Sequence, residues 1–175
     1  ETFINRINSD LANNLGNLLN RSLNLVNKNF NGEIEDTKSD ILSLKTKAEE
    51  TFKSYEKHME DLDLKDALDA VWQLVDATNK AFNDKAPWKM IKEGDLHGAK
   101  SCLYETLEIL RNISILINPF IPSTSIKMYE QLGFNSFSLT SEWDFIGMGK
   151  KSQFFKVLEG KPIFPRVEDK MLKQV

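Results

Sequence analysis

Apolar residues recur every three or four positions along most of the chain up to residue 133, which is the spacing of amphipathic helices. Five such segments follow one another, separated by short breaks that carry Asn, Gly, Asp or Pro. Short connections between amphipathic helices are typical of antiparallel packing. The pattern therefore predicts an all-α fold, an antiparallel bundle of about five helices that occupies residues 8–133.

The first helix has an asparagine-rich polar face. Its apolar arc consists of Leu11, Leu15, Leu18, Leu19, Leu25 and Val26. The opposite arc consists of Asn13, Asn17, Asn20, Arg21, Asn24 and Lys28. Asparagine is a mediocre helix former, and a solvated face more often carries Glu and Lys. The face is either an ordinary exposed surface or a surface that makes hydrogen bonds, and the pattern alone leaves both interpretations open.

Residues typical of helix ends mark the boundaries of all five helices. The expected start signals are Asn8-Ser9-Asp10 for the first helix, Thr37, Ser39 and Asp40 for the second, Asp63 for the third, Gly94-Asp95 for the fourth and Pro122-Ser123 for the fifth. The expected stops are Asn31-Gly32, Asn118-Pro119 and Gly133. The apolar row of the second helix is expected to run from Ile41 to Leu62.

A proline interrupts the helical pattern at Pro87, and Trp88 follows it directly. Proline disfavours the α conformation at the preceding residue and can begin a new helical turn itself. Trp88 therefore lies at a corner, where it either plugs the bundle or projects as a binding surface. Residues 79–92 carry four lysines against one acid, although the net charge of the chain is −3, and residues 33–69 carry twelve acids against six lysines. This local positive charge favours contact with phosphate. Trp72, in the middle of the third helix, is expected to be buried.

Outside the bundle the helical period is absent. Residues 1–7 form a lead-in, and residues 134–175 end in a proline-bracketed segment that predicts an irregular, extended C-terminal arm. The apolar residues of this arm need a surface to cover, either this bundle or a neighbouring domain.

Composition and motifs exclude several classes of function. No apolar run approaches the ~18–20 residues of a membrane span, and no signal peptide is evident. The sole cysteine, Cys102, fits a small core residue in a cytoplasmic protein. Phosphate-binding loops, zincin helices and inward-facing Glu-x-x-His pairs are missing. We expect both histidines, His58 and His97, at the surface or at helix caps, and no catalytic or metal site.

Several segments together resemble the anticodon-binding helical bundle of methionyl-tRNA synthetases. The matching segments, in order, are Phe3 to Leu11, Gly16 to Arg21, Asn79 to Trp88, Asn118 to Pro122 with Leu132-Gly133, and Gly160 to Arg166. The resemblance covers nearly the whole chain, 1–175. It implies that Asn17, Arg21, Pro87 and Trp88 read the CAU anticodon, and Lys85, Lys89 and Lys92 are candidate phosphate contacts.

The resemblance also implies a larger parent enzyme, because the nucleotide-binding motifs of class I synthetases are absent from the sequence. That parent, a cytoplasmic methionine–tRNA ligase, would use ATP with Mg to attach methionine to tRNA(Met). This chain would then be a fragment without the catalytic domain, inactive alone and without a cofactor of its own. Its partners would be the anticodon loop and the missing catalytic domain. The alternatives are the equivalent bundle of a leucine, isoleucine or valine enzyme, or a helical protein-interaction domain.

Overall fold

The computed structural model describes residues 14–38, 41–134, 143–144, 146–148 and 154–164. In chain order these residues form α1 (Asn17–Phe30), β1 (Glu33–Glu35), α2 (Lys45–Glu60), α3 (Leu64–Lys85), α4 (Pro87–Glu93), α5 (Leu96–Leu116), α6 (Pro122–Gln131) and β2 (Phe154–Lys156). The predicted helical fold is confirmed. The five longer helices are the predicted five, and α4 is the additional short helix that begins at Pro87.

Several predicted helix ends are found where the sequence places them. Asn31, in the left-handed conformation at φ 52°, closes α1. The side chain of Asp95 accepts a hydrogen bond from the Gly98 N–H and so caps α5. These local signals succeed because a cap needs only residues next to it in sequence. The lead-in 1–7 and the first cap, residues 8–10, lie outside the described residues.

The predicted start of the second helix is wrong. The helix α2 begins at Lys45, and Thr37 does not cap it; the Thr37 hydroxyl lies within hydrogen-bond distance of the Ser101 hydroxyl of α5. The other two candidates, Ser39 and Asp40, lie outside the described residues. Thr37 therefore ties the connection before α2 to the core helix, a long-range role that the sequence does not reveal.

A left-handed residue keeps residues 41–44 outside α2, because Ser43 has φ 54°. Glu105 of α5 accepts hydrogen bonds from the backbone N–H groups of Ile41, at 2.6 Å, and Leu42, at 2.8 Å. These two hydrogen bonds hold the segment against α5. The segment thus remains irregular although its apolar spacing is helical.

The turn between α2 and α3 also differs from the expected pattern. Leu62 is not part of the α2 apolar row: it lies beyond the helix end, at φ 58°, and is 81% exposed. Asp63 occupies the predicted cap position of α3, but its side chain makes no cap bond. Its carboxylate lies 3.6 Å from Nδ1 of His58 instead.

The helix α5 forms the centre of the molecule, because every residue from Gly98 to Leu116 except Lys100 is buried. Tyr55 of α2 donates a hydrogen bond of 2.7 Å to the carbonyl of Leu116, and burial raises the pKa of this tyrosine to about 12. No helix in the described part of the chain has the length and apolarity needed to cross a bilayer.

The C-terminal arm pairs with the connection after α1. Strand β2 lies antiparallel to β1, and Ile34 faces Phe155 with both side chains buried. Gly133 permits this close approach: a Cβ on Gly133 would lie 2.1 Å from the Lys156 carbonyl oxygen, and the residue has φ +95°. The sequence did not predict this small two-stranded sheet.

Further along, the arm covers the bundle itself. Gln131 of α6 accepts a hydrogen bond from the Lys161 N–H and donates one to its carbonyl, at 2.9 and 3.1 Å. Val157 and Ile163 are buried in the core. For these residues the surface that the arm needs is this bundle, so no neighbouring domain is required to cover them.

A buried ion pair fixes residues 146–148 against α5. The Arg111 side chain pairs with Glu108, at 3.3 Å, and donates a hydrogen bond of 2.9 Å to the Gly147 carbonyl. Asn112 accepts a hydrogen bond of 2.8 Å from the Gly147 N–H. Burying two charges is costly unless further hydrogen bonds satisfy them, and the arm contributes one of those bonds.

Candidate nucleic-acid interface

The corner between α3 and α4 is built by Ala86 and Pro87. Ala86 adopts the left-handed conformation, at φ 49° and ψ 63°, and its N–H bonds to the Phe82 carbonyl, which ends α3. Pro87 then takes the first position of α4, where its missing N–H costs nothing. The predicted break is confirmed, and it places Trp88 in the first turn of a separate helix.

Trp88 is half-buried, so it neither plugs the bundle completely nor projects completely from it. One portion of the indole packs against the core through Phe82, with ring centroids 5.9 Å apart. The remainder faces outward. Trp72 is likewise half-buried and packs against the core, so burial alone does not distinguish the two tryptophans.

Arg21 of α1 lies over this aromatic pair. The centre of its guanidinium group is 4.8 Å from the Trp88 ring centroid and 5.2 Å from that of Phe82. Nη1 donates a hydrogen bond of 3.0 Å to Oδ1 of Asn83. A guanidinium group over an aromatic ring is stabilised by the ring quadrupole, and the amide fixes its rotation. The structure thus brings together two predicted site residues, Arg21 and Trp88, from distant parts of the sequence.

Asn17 lies one helical turn before Arg21 on the same face of α1 and is exposed. Its amide can both donate and accept hydrogen bonds. The face that carries Asn17 and Arg21 is therefore accessible and adjoins the Trp88 corner.

A row of hydrogen bonds joins α1 to α3 beside this face. Asn14 donates to Asp76 and accepts from Asn79, and the bond from Arg21 to Asn83 continues the row. Asp76 lies 62 residues after Asn14, which stands three residues before α1 begins, and Asn83 lies 62 residues after Arg21 of α1, so the two helices run parallel here. Sequence analysis missed the roles of Asp76 and Asn83. Their spacing of three and four residues through Asn79, which places all three on one edge of α3, is the signal that marks a shared polar edge.

The other edge of the α1 polar face contacts the C-terminal arm. Asn27 donates a hydrogen bond of 2.9 Å to the Leu158 carbonyl, and Asn20 lies so close to Gly160 that a Cβ there would be 2.7 Å from Oδ1. The asparagine-rich face is therefore not uniform: its two edges bind α3 and the arm. Its exposed middle consists of Asn17, Asn24 and Lys28.

The three candidate phosphate contacts are all exposed. Lys85 ends α3, and Lys89 and Lys92 lie on α4, on either side of the Pro87–Trp88 corner in sequence. No hydrogen bond or ion pair to another described residue is recorded for their ammonium groups. The phosphate role remains a prediction.

Two further features among the described residues carry reactive side chains, a buried cysteine and a cluster of one histidine with two aspartates. Cys102 is fully buried, and burial raises the pKa of its thiol to about 12, so the predicted core role is confirmed. His58, Asp63 and Asp66 have potential ligand atoms within 4.8 Å of one another, a cluster that the search for Glu-x-x-His pairs did not detect. Asp66 is also 3.5 Å from the Lys65 ammonium group, and all three side chains are at least partly exposed.

The family model and the sequence relatives that match this chain agree on one family. The model of the family described as the anticodon binding domain of methionyl tRNA ligase matches residues 32–173. The chain is 42% identical over 173 residues to the methionine–tRNA ligase of Bacillus subtilis and 40% identical over 174 residues to that of Lactococcus lactis. Each match covers 96% of this chain and 26% of the relative.

Solved structures agree with the sequence relatives. Mycobacterium tuberculosis methionyl-tRNA synthetase bound by methionyl-adenylate superposes with a TM-score of 0.83 at 29% identity, over 94% of this chain and 33% of that one. Its free form gives a TM-score of 0.84. The chain thus spans about a quarter of the length of its sequence relatives. These matches support methionine over the leucine, isoleucine or valine alternative and over a protein-interaction domain.

Proposed function

Because the chain belongs to the family of anticodon-binding domains of methionyl-tRNA ligase, we propose that it binds the anticodon loop of tRNA(Met) and selects the sequence CAU. We assign residues 1–175 to this one domain. The observation that carries the proposal is the contact between Arg21 and Trp88, 4.8 Å from guanidinium to ring centroid. It joins a surface on which a base can stack to a group that can read the base edge.

Stacking supplies most of the binding and little of the selection. An RNA base that leaves its own stack gains ~1–3 kcal/mol on an aromatic ring, almost independently of its identity. Trp88 is the ring in question, and Pro87 sets the corner that presents it. In the free protein Arg21 lies over the indole. We propose that the entering base displaces the guanidinium group from the ring and that the group then meets the edge of the same base.

Selection comes from hydrogen bonds to the base edge. Cytosine presents ring-nitrogen and carbonyl acceptors, which suit the donor-only guanidinium of Arg21. Uracil presents an N–H at the ring nitrogen, so two donors would face each other and one buried donor would lose its partner. Asn17, one turn away on the same face, is positioned to bond with the same base.

Charge positions the loop. Lys85, Lys89 and Lys92 surround the corner and are exposed, so they are available to the phosphates that flank the bound bases. The chain as a whole carries a net charge of −3. Attraction is therefore local to this surface, and we expect salt to weaken binding.

The chemistry of the whole enzyme is assigned to the rest of a longer protein. The parent would activate methionine with ATP and Mg and transfer it to tRNA(Met) for protein synthesis in the cytoplasm. Its catalytic domain would be the second partner of this chain. We expect the chain itself to bind RNA without a cofactor and to catalyse neither step.

The test is a titration of the chain with two anticodon stem-loops that differ in one base, CAU and UAU. The CAU loop should bind more tightly, and Arg21→Ala should narrow the difference between the two. Equal and salt-insensitive binding of both loops would overturn the proposal. If Arg21→Ala lowered both affinities by the same factor, Arg21 would be a phosphate contact rather than a base reader.

A further inference from the structure

The middle of the α1 polar face continues well beyond the residues assigned to the anticodon. Asn17, Arg21, Asn24 and Lys28 are spaced by four, three and four residues, so they form one line along the helix, which we call the α1 track. Asn17, Asn24 and Lys28 are exposed, and Arg21 is half-buried against Trp88. At 1.5 Å per residue the track is roughly 16 Å long, about the rise of five stacked nucleotides in one strand.

The track has a neighbouring segment on each side. On one side, Asn14 and Arg21 bind α3 through Asp76 and Asn83. On the other side, the arm runs beside α1 at residues 158–160, where Asn27 donates to the Leu158 carbonyl. The track thus passes the Trp88 corner at Arg21 and continues beside the arm toward the C-terminal end of α1.

The charge of this surface is unusual for the chain. The sequence contains 26 acidic residues, yet residues 11–32 contain none. Arg21 and Lys28 are therefore the only formal charges of α1, and both are positive. The arm contributes the exposed residues Glu159 and Lys161, whose charges are opposite in sign and add no net charge. A helix surface with positive charge and short amides suits a phosphate backbone, because amides bond to sugar and phosphate oxygens without requiring a base sequence.

We propose that the α1 track binds the sugar-phosphate backbone of the RNA strand that leads away from the bound anticodon, with Lys28 as a phosphate contact and Asn24 as a hydrogen-bond donor. This inference rests on the proposed function, because the anticodon site fixes one end of the strand. An acidic protein segment is the competing occupant, and it would not require continuity with the Trp88 corner.

The experiment measures binding of the CAU stem-loop to the chain as a function of salt. A lysine that contacts one phosphate contributes about 0.7–0.9 to the slope of log affinity against log salt. Lys28→Ala should therefore reduce the slope by about that amount and lower the affinity for CAU and UAU loops by the same factor. Lys28→Arg, which keeps the charge, should retain the slope. The matched control is Lys57→Ala, which removes an equally exposed charge from α2.

Stem-loops in which single phosphates are replaced by neutral methylphosphonates then locate the contact. One replacement in the strand next to the anticodon should weaken binding of the stem-loop to the unsubstituted chain. The same replacement should not change the affinity of the Lys28→Ala variant. An unchanged salt slope for Lys28→Ala, or an equal loss for Lys57→Ala, would overturn the α1 track while CAU selection persisted. Equal affinity of the unsubstituted chain for CAU and UAU loops would instead overturn the anticodon proposal, so the two failures are distinguishable.

Discussion

Arg21 and Trp88, which are 67 positions apart in the sequence, lie in contact in the free protein, with the guanidinium centre 4.8 Å from the indole centroid. The contact spans two helices, α1 and α4, and the corner at Pro87 makes it possible. A site assembled before RNA arrives loses less conformational entropy on binding than one that must be ordered. The proposed reader and the proposed platform are therefore neighbours before RNA binds, and the base needs only to displace the guanidinium group from the ring.

The first prediction concerns the platform. Trp88→Ala should weaken binding of the CAU stem-loop by ~1–3 kcal/mol, because one base–aromatic stack is lost. The CAU and UAU loops should lose affinity by a similar factor, since stacking scarcely distinguishes bases. Fluorescence anisotropy of labelled stem-loops measures both. Trp88→Phe should restore part of the loss, whereas Trp143→Ala, which removes a ring packed on Tyr55, should leave affinity unchanged.

The second prediction concerns the amide that holds Arg21. Oδ1 of Asn83 accepts the Arg21 hydrogen bond, at 3.0 Å, so Asn83→Ala should release the guanidinium group. We expect a loss of about 0.5–1.5 kcal/mol in CAU binding, the cost of ordering a side chain that the amide no longer restrains, and a smaller difference between the CAU and UAU affinities. The control is Asn29→Ala, whose amide bonds only to the Leu25 carbonyl within α1. If Asn83→Ala kept the same difference between CAU and UAU affinities as the unsubstituted chain, Asn83 would not position Arg21.

The sequence predicts what depends on neighbouring residues. The end of α1 at Asn31, the cap of α5 at Asp95 and the break at Pro87 follow from side chains next to the backbone that they affect. The pairing of Arg21 with Asn83 does not follow, because it depends on the relative position of two helices. The failed prediction at Thr37 has the same cause: its partner belongs to α5, more than 60 residues away.

The third prediction separates two reasons for glycine. Gly133 and Gly94 both have positive φ, at +95° and +87°. An added Cβ would lie 2.1 Å from the Lys156 carbonyl oxygen at Gly133 but has no atom within 4 Å at Gly94. Gly94→Ala should cost only the backbone strain, ~1–2 kcal/mol. Gly133→Ala should cost more and should detach the β1–β2 pairing.

Chemical denaturation measures both variants, and hydrogen exchange at Val157, whose N–H donates to the Gly32 carbonyl, reports the pairing directly. If the two glycine variants were equally stable, the close approach at Gly133 would contribute nothing to the fold. If Gly133→Ala were less stable with normal protection of the arm, the strain would be absorbed elsewhere.

The fourth prediction concerns stability at high pH. Burial raises the pKa of the Cys102 thiol from its ordinary value to about 12. A thiol is neutral when protonated, so between about pH 9 and pH 12 the unfolded chain releases this proton while the folded chain keeps it. The free energy of unfolding therefore falls as pH rises through this window, by up to about 1.4 kcal/mol per pH unit for one group. Below about pH 8 the contribution is fully present.

Cys102→Ala tests this contribution through the slope of the free energy of unfolding against pH. The value at a single pH would not serve, because the substitution also removes buried volume. Between pH 9 and pH 10 the free energy of unfolding of the variant should fall less steeply than that of the unsubstituted chain, by about 1 kcal/mol per pH unit. Burial also raises the pKa of Tyr55 to about 12, so this residue lowers the free energy of unfolding from about pH 10 upward. Both the variant and the unsubstituted chain should therefore still lose stability in that range. Identical slopes in the lower interval would mean that the folded thiol ionises at its ordinary pKa. In that case Cys102 would also react with thiol reagents in the folded protein, which a buried protonated thiol does not.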